Sequence, residues 1–126
     1  MIVLSGNDIS VSFGGETLFH NVNFRLEENG RAGLVGVNGC GKTTLLNCLG
    51  LIQDIDKGKI IIDNEEVSEW KERKKTKFWH DFASFVYQDY GIIEDESVAY
   101  NLTLNKHKTK NSDVKEILKK VGLENR

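Results

Sequence analysis

An α/β fold with an antiparallel β subdomain at its amino terminus is what this sequence predicts, on three observations. Ile9, Val11 and Phe13, and again Val22, Phe24 and Leu26, alternate with polar residues at the period of half-buried strands. Two short apolar runs, at Leu34-Val35 and Phe85-Val86-Tyr87, lack that alternation, as strands covered on both faces do. Stretches with helical spacing follow or separate these runs, and strands interleaved with helices define the α/β class.

Taken in order, the two alternating segments flank Gly14-Gly15, a pair suited to a tight turn, so a β-hairpin or meander opens the chain. Arg31 to Gly36 (RAGLVG) then reads as a central parallel strand. From Thr43 the run TTLLNCLGLI has good helix formers, so a helix follows directly on a glycine cluster. Gly58 to Asp63 (GKIIID) is a further strand, closed by the turn-forming pair Asp63-Asn64. Ser68 to about Phe82, with Trp70, Phe78, Trp79 and Phe82 among charges, reads as helical. Phe85 to Tyr87 is the third buried strand, with Gln88 at its exit, and Ser97 can cap a short helix carrying Val98 and Leu102. The last helix is the most explicit. Val114, Ile117, Leu118 and Val121 fall at i, i+3, i+4 and i+7, acids sit early, Lys119 and Lys120 late, and Gly122 lies past the end.

Composition bounds the functional classes. The chain has 126 residues, 39% hydrophobic and 29% charged, without proline and with a formal net charge of −2. That length supports one core, hence one domain or part of one. The longest apolar stretch, near Leu45 to Ile52, falls far short of the roughly 18–20 residues that span a bilayer. The amino terminus has no secretory pattern, so a cytoplasmic location is the expectation. Near-neutral charge argues against a dedicated nucleic-acid binder. Two cysteines, Cys40 and Cys48, make no disulfide framework.

The chemistry lies in Gly36-Val37-Asn38-Gly39-Cys40-Gly41-Lys42-Thr43, a full match to G-x-x-x-x-G-K-[ST] between an expected strand and an expected helix. Glycines let the backbone curl so that successive N–H groups face phosphate oxygens, and the helix start adds its positive dipole end. Lys42 is placed to reach the β- and γ-phosphates and the Thr43 hydroxyl to ligate Mg²⁺. A plain glycine-rich turn would need neither side chain in that register. The expectation is a P-loop that binds a nucleoside triphosphate.

Around this loop the sequence resembles the nucleotide-binding domain of ABC transporters. GVNGCGKTTLL is similar to that family's phosphate loop, ISVSFGGETLFHNVNFRLEENGRAGLVG to its opening, GLIQDIDKGKIIIDNEEV to the helix and strand that follow, and FVYQDYGIIEDESVAYNL to its Q-loop. The similarity runs from about Val3 to Arg126 and is nearest to exporters of the lipoprotein-releasing, macrolide or bacteriocin type. The resemblance implies that Phe13 stacks on adenine, that Thr44 bonds the α-phosphate, and that Gln88 reaches Mg²⁺ and the attacking water. It implies Lys42 and Gln88 as catalytic residues, with ATP and Mg²⁺ as cofactors. A transmembrane permease subunit and a second ATP-binding domain would be partners, at the inner face of the membrane. The whole of 1–126 would then be the amino-terminal part of one ABC-type domain, truncated at its carboxy end.

The family's signature motif, its second acidic strand with the neighbouring Glu, and its later histidine have no match here; His80 precedes Gln88 and His107 follows it too closely. Since positioning and electrostatics carry phosphoryl transfer, these 126 residues are expected to bind ATP with little or no hydrolysis. A non-catalytic or vestigial ATP-binding protein is the alternative, and a GTPase or kinase a third reading. Asn105-Lys106-His107-Lys108 is discounted as a guanine-reading motif because Lys108 stands where an aspartate is needed. Lys71 to Lys77 (KERKKTK) reads as a solvated helix face balanced by Glu65, Glu66, Glu69 and Glu72, in preference to a contact with anionic lipid headgroups.

Overall fold

A computed structural model describes residues 1–87, 91–104 and 111–124. They fall into two compact units, Met1–Phe85 and Val86–Arg126.

The first unit is built on a four-stranded antiparallel sheet of order β2-β1-β3-β4, from β1 (Ile2–Phe13), β2 (Glu16–Glu27), β3 (Lys57–Ile62) and β4 (Glu65–Glu66). The expected hairpin is present: Phe13 pairs with Glu16 across Gly14 and Gly15, both at positive φ (60° and 87°). Two successive positive φ values give the turn whose twist matches that of the strands, and glycine adopts them without strain. β1 is also the partner of β3, with Leu4 opposite Ile62 and Gly6 opposite Ile60. Asp63-Asn64 turns β3 into β4 with φ of 47° and 66°, as the sequence predicts.

The alternation in β1 sends Ile9 and Val11 into a core shared with Cys48, Leu51, Ile60 and Val67. Each such aliphatic side chain contributes roughly 1.5–3 kcal/mol on burial. Helix α1 (Lys42–Leu49) has two buried residues, Leu45 and Cys48, and joins this core through Cys48, with Leu49 packed against it. Helix α2 (Glu72–Asp81), shorter than the expected 68–82, packs Phe78 and Trp79 against it. The Trp79 indole donates to the carbonyl of Gly50 at 2.7 Å, which ties α2 to the carboxy end of α1. Lys75, buried on the inner side of α2, donates to Asp54 Oδ1 at 2.7 Å.

Two expected strands are not formed. Residues 31–37 have no regular structure and lie exposed, with Val35 at 90%. Residues 85–87 are likewise irregular, and Val86 is 92% exposed. A parallel strand exists through ladder bonds and cover on both faces. Among the described residues neither run pairs into the sheet, so apolar composition alone does not make them strands.

In the second unit, α3 (Val98–Thr103) is capped as predicted, with Ser97 Oγ accepting from Tyr100 N–H at 3.1 Å. Helix α4 (Asn111–Lys120) ends on Gly122, whose N–H bonds Lys119 O while Leu123 N–H bonds Leu118 O, the paired closure of a Schellman motif. Of its apolar stripe Val114 is buried, whereas Val121 is 61% exposed. Among the described residues no helix is long and apolar enough to cross a membrane.

Candidate functional site

The glycine loop and the start of α1 form the site. Residues 38–40 make a turn, and Gly39 and Gly41 adopt φ of 82° and 87°. Gly41 stands at the amino cap of α1 in the left-handed conformation, and its carbonyl accepts the first helical bond from Leu45 N–H at 2.8 Å. A Cβ on Gly41 would come within 2.9 Å of the Phe19 ring and 3.0 Å of Leu18 Cγ. Only glycine therefore lets the loop sit down on β2, where it meets Leu18 and Phe19.

Lys42 is the centre of the arrangement. Its ammonium reaches back over the loop and donates to Gly36 O at 2.6 Å and Val37 O at 2.7 Å, with Cys40 Sγ at 3.9 Å. Among the described residues it forms no ion pair, so two neutral carbonyls hold a full positive charge at the mouth of the loop. Lys42 is the first residue of α1, and its carbonyl partners are not legible in the sequence because they are backbone atoms set by the turn. Thr43 is exposed and Thr44 half-buried on the first turn of α1. The helix has no acidic residue in that first turn, which leaves its positive dipole end uncompensated.

The donor set suits a phosphate chain: loop N–H groups, a helix amino terminus and an unpaired ammonium. It also suits Mg²⁺, which binds through one or two protein oxygens together with substrate phosphates and keeps several waters. Thr43 is the available hydroxyl. Among the described residues no cluster of His, Cys, Asp and Glu could hold a metal by itself.

Phe13 is 80% exposed at the tip of the hairpin, so it is not a core residue of β1, and a free ring face is available for stacking. Gln88, the other residue singled out at the sequence level, lies outside the described residues, as does His107. His80 is engaged locally, 2.7 Å from Asp81 Oδ1. Neither cysteine is in a disulfide: Cys40 is exposed in the loop and Cys48 buried. Burial, reinforced by Asp54 and Asp56, pushes the Cys48 thiol up to about 11.

With this geometry in place, comparisons with known proteins are informative. The family model described as ABC transporter matches residues 19–126. Over 116 residues the chain is 31% identical to the lipoprotein-releasing system ATP-binding protein LolD of Francisella tularensis subsp. holarctica, covering 86% of this chain and 50% of that protein. It is 29% identical over 108 residues to the bacitracin export ATP-binding protein BceA of Halalkalibacterium halodurans, covering 82% of this chain and 43% of that one. Both belong to the exporter types that the segment around Gln88 resembles. Among solved structures, the dimeric bacterial ABC transporter cassette MJ0796 superposes with a TM-score of 0.80 at 21% identity, covering 93% of this chain and 54% of that one. A bacterial Atm1-family ABC exporter with ATP bound gives 0.82 at 18% identity, covering 98% and 21%. These structural likenesses establish the fold, an ABC ATPase cassette, and the chain spans about half the length of the curated relatives it matches.

Proposed function

The chain belongs to the ABC transporter family, and from that premise we propose that residues 1–126 are the amino-terminal part of one ATP-binding domain, the part that grips nucleotide. The observation that carries this reading is the Lys42 ammonium, drawn in over Gly36 and Val37 at the head of α1 with no carboxylate partner among the described residues. A charge held by carbonyls alone is poised for an anion of higher affinity than either.

In this reading the backbone N–H groups of Gly36, Val37, Asn38, Gly39, Cys40 and Gly41 wrap the phosphates. Lys42 contacts the β- and γ-phosphates, Thr44 the α-phosphate, and Phe13 offers its exposed ring to adenine. Thr43, with Gln88, would hold Mg²⁺, which when bound neutralises charge on the phosphate oxygens. In the whole protein this part would couple ATP to transport across a membrane, with a permease subunit and a second ATP-binding domain as partners at the inner face. These residues alone would hydrolyse ATP weakly, since no residue here matches the family's water-activating glutamate.

Titration calorimetry of the 126-residue chain with ATP and with GTP, in the presence of Mg²⁺, tests the assignment. Binding of ATP in preference to GTP, with little steady-state phosphate release, is the expected result. Preference for GTP would remove the role given to Phe13 and the family's nucleotide with it, and brisk hydrolysis would refute the claim that essential groups are missing.

A further inference from the structure

Helix α2 carries a second feature, unrelated to the loop. Trp70, Lys71, Arg73, Lys74 and Lys77 line one open groove of about 510 Å³, with Glu69 as its sole acid. Lys71, Lys74 and Lys77 recur every three residues and therefore share a helix face. At the sequence level the neighbouring acids balance this run of cations, and the structure bears that out only in part, since Glu65 and Glu72 meet two of its lysines while Glu66 turns outside it. Glu66 pairs with Lys59 at 2.8 Å, Glu65 pairs with Lys74, and Glu72 lies 3.5 Å from the buried Lys75. Lys71, Arg73 and Lys77 are exposed and form no ion pair among the described residues. The groove therefore keeps a net positive charge.

Its floor is not polar. The half-buried Trp70 indole lies under Lys74, whose ammonium is 4.2 Å from the ring centroid, and is braced edge-on by Phe78 at 6.0 Å. An enclosed pocket with converging donors would suit a small anion. Here the cations form an open row beside an aromatic ring, with no fixed acceptor geometry, and that suits a plane presenting many phosphates over an apolar layer. We propose that this groove docks α2 on anionic phospholipid headgroups. The proposal rests on the transporter reading only for the presence of a membrane nearby; the chemistry is that of α2 itself.

The test is co-sedimentation of the 126-residue chain with vesicles of phosphatidylglycerol and phosphatidylcholine in equal amounts, against vesicles of phosphatidylcholine alone. Binding to the anionic vesicles only is expected. At about 1 kcal/mol per cation near the surface, a Lys71→Gln/Arg73→Gln/Lys77→Gln variant should bind on the order of 100-fold more weakly. A Lys115→Gln/Lys119→Gln/Lys120→Gln variant removes the same charge from α4 and should bind as the parent does. Equal losses in the two variants, or none in the first, would overturn the proposal. Release by inorganic phosphate would reassign the groove to a soluble anion, and stronger binding to polyglutamate than to vesicles would reassign it to an acidic protein. ATP binding, measured on the same samples, should be unchanged in both variants, so failure of the nucleotide reading and failure of this one are seen separately.

Discussion

Two lysines in the first unit contrast a charge paired within the fold with one that, on the proposed function, awaits a ligand. Lys75 lies buried on α2, its ammonium on Asp54 and near Glu72. The bond to Asp54 holds its pKa above the ordinary 10.5 despite burial, which acts the other way. Lys42 lies at the loop, half-buried, and is held by the neutral carbonyls of Gly36 and Val37. The first charge is answered by carboxylates within the fold, and the second is oriented by carbonyls with no carboxylate beside it among the described residues. An ammonium that the fold merely tolerates finds a carboxylate, whereas one kept for an incoming anion must not.

The largest expected effect follows from that difference. Lys42→Ala removes a charge-assisted contact to phosphate and should lower ATP affinity by on the order of 100-fold. Because its present bonds go to carbonyls already near solvent, the variant should melt close to the parent. Calorimetry with ATP and a thermal melt on one preparation check both halves. A variant that binds ATP normally would mean that Lys42 is the structural lysine of the pair.

Lys75→Ala should do the reverse. It loses a buried hydrocarbon stem and its bond to Asp54, and the carboxylate left behind is solvated, with 79% of its side chain exposed. A cost of about 2 kcal/mol in unfolding free energy is expected, read as a lower denaturant midpoint, with ATP affinity per folded molecule unchanged. Loss of affinity without loss of stability would break the comparison at its other end.

The sequence makes the loop legible because its function depends on local order: three glycines, a lysine and a threonine in fixed register imply a curled backbone and a helix start. The hairpin is legible for the same reason, since Gly14-Gly15 between alternating strands specifies both turn and pairing. What stays hidden depends on distant partners. Leu34-Val35 and Val86 have the composition of covered strands, but a strand requires a neighbour, and composition carries no information on whether one is adjacent. The acids beside KERKKTK look like its counterions in sequence, and Glu65 and Glu72 do meet Lys74 and Lys75 of that run, whereas Glu66 on β4 turns to Lys59 instead and leaves Lys71, Arg73 and Lys77 without an ion pair among the described residues. Phe13 continues the apolar alternation of Ile9 and Val11 and still ends exposed, because the hairpin tip extends past the core.

The smallest expected effect lies in alkali and sharpens the same contrast. Cys48, on the buried side of the helix that Lys42 opens, is held protonated by burial and by Asp54 and Asp56, its pKa raised from the ordinary 9.0 to about 11. A raised folded pKa means that the stabilisation is complete below pH 9.0 and is lost as pH climbs toward about 11, because the unfolded chain releases its proton first. Lys75 has the same sign, but its contribution begins to fall only above 10.5. Unfolding free energy should therefore drop by about 1 kcal/mol between about pH 8 and about pH 10, at no more than about 1.4 kcal/mol per pH unit for one group. Cys48→Ala should flatten that interval whatever it costs in absolute stability, and leave the fall above 10.5 to Lys75 and to Lys59, whose pKa the bond to Glu66 also raises. An unchanged slope in Cys48→Ala would place the titrating group elsewhere. A fall at higher pH that survives Lys75→Ala would assign it to another carboxylate-bonded lysine such as Lys59 and not to Lys75.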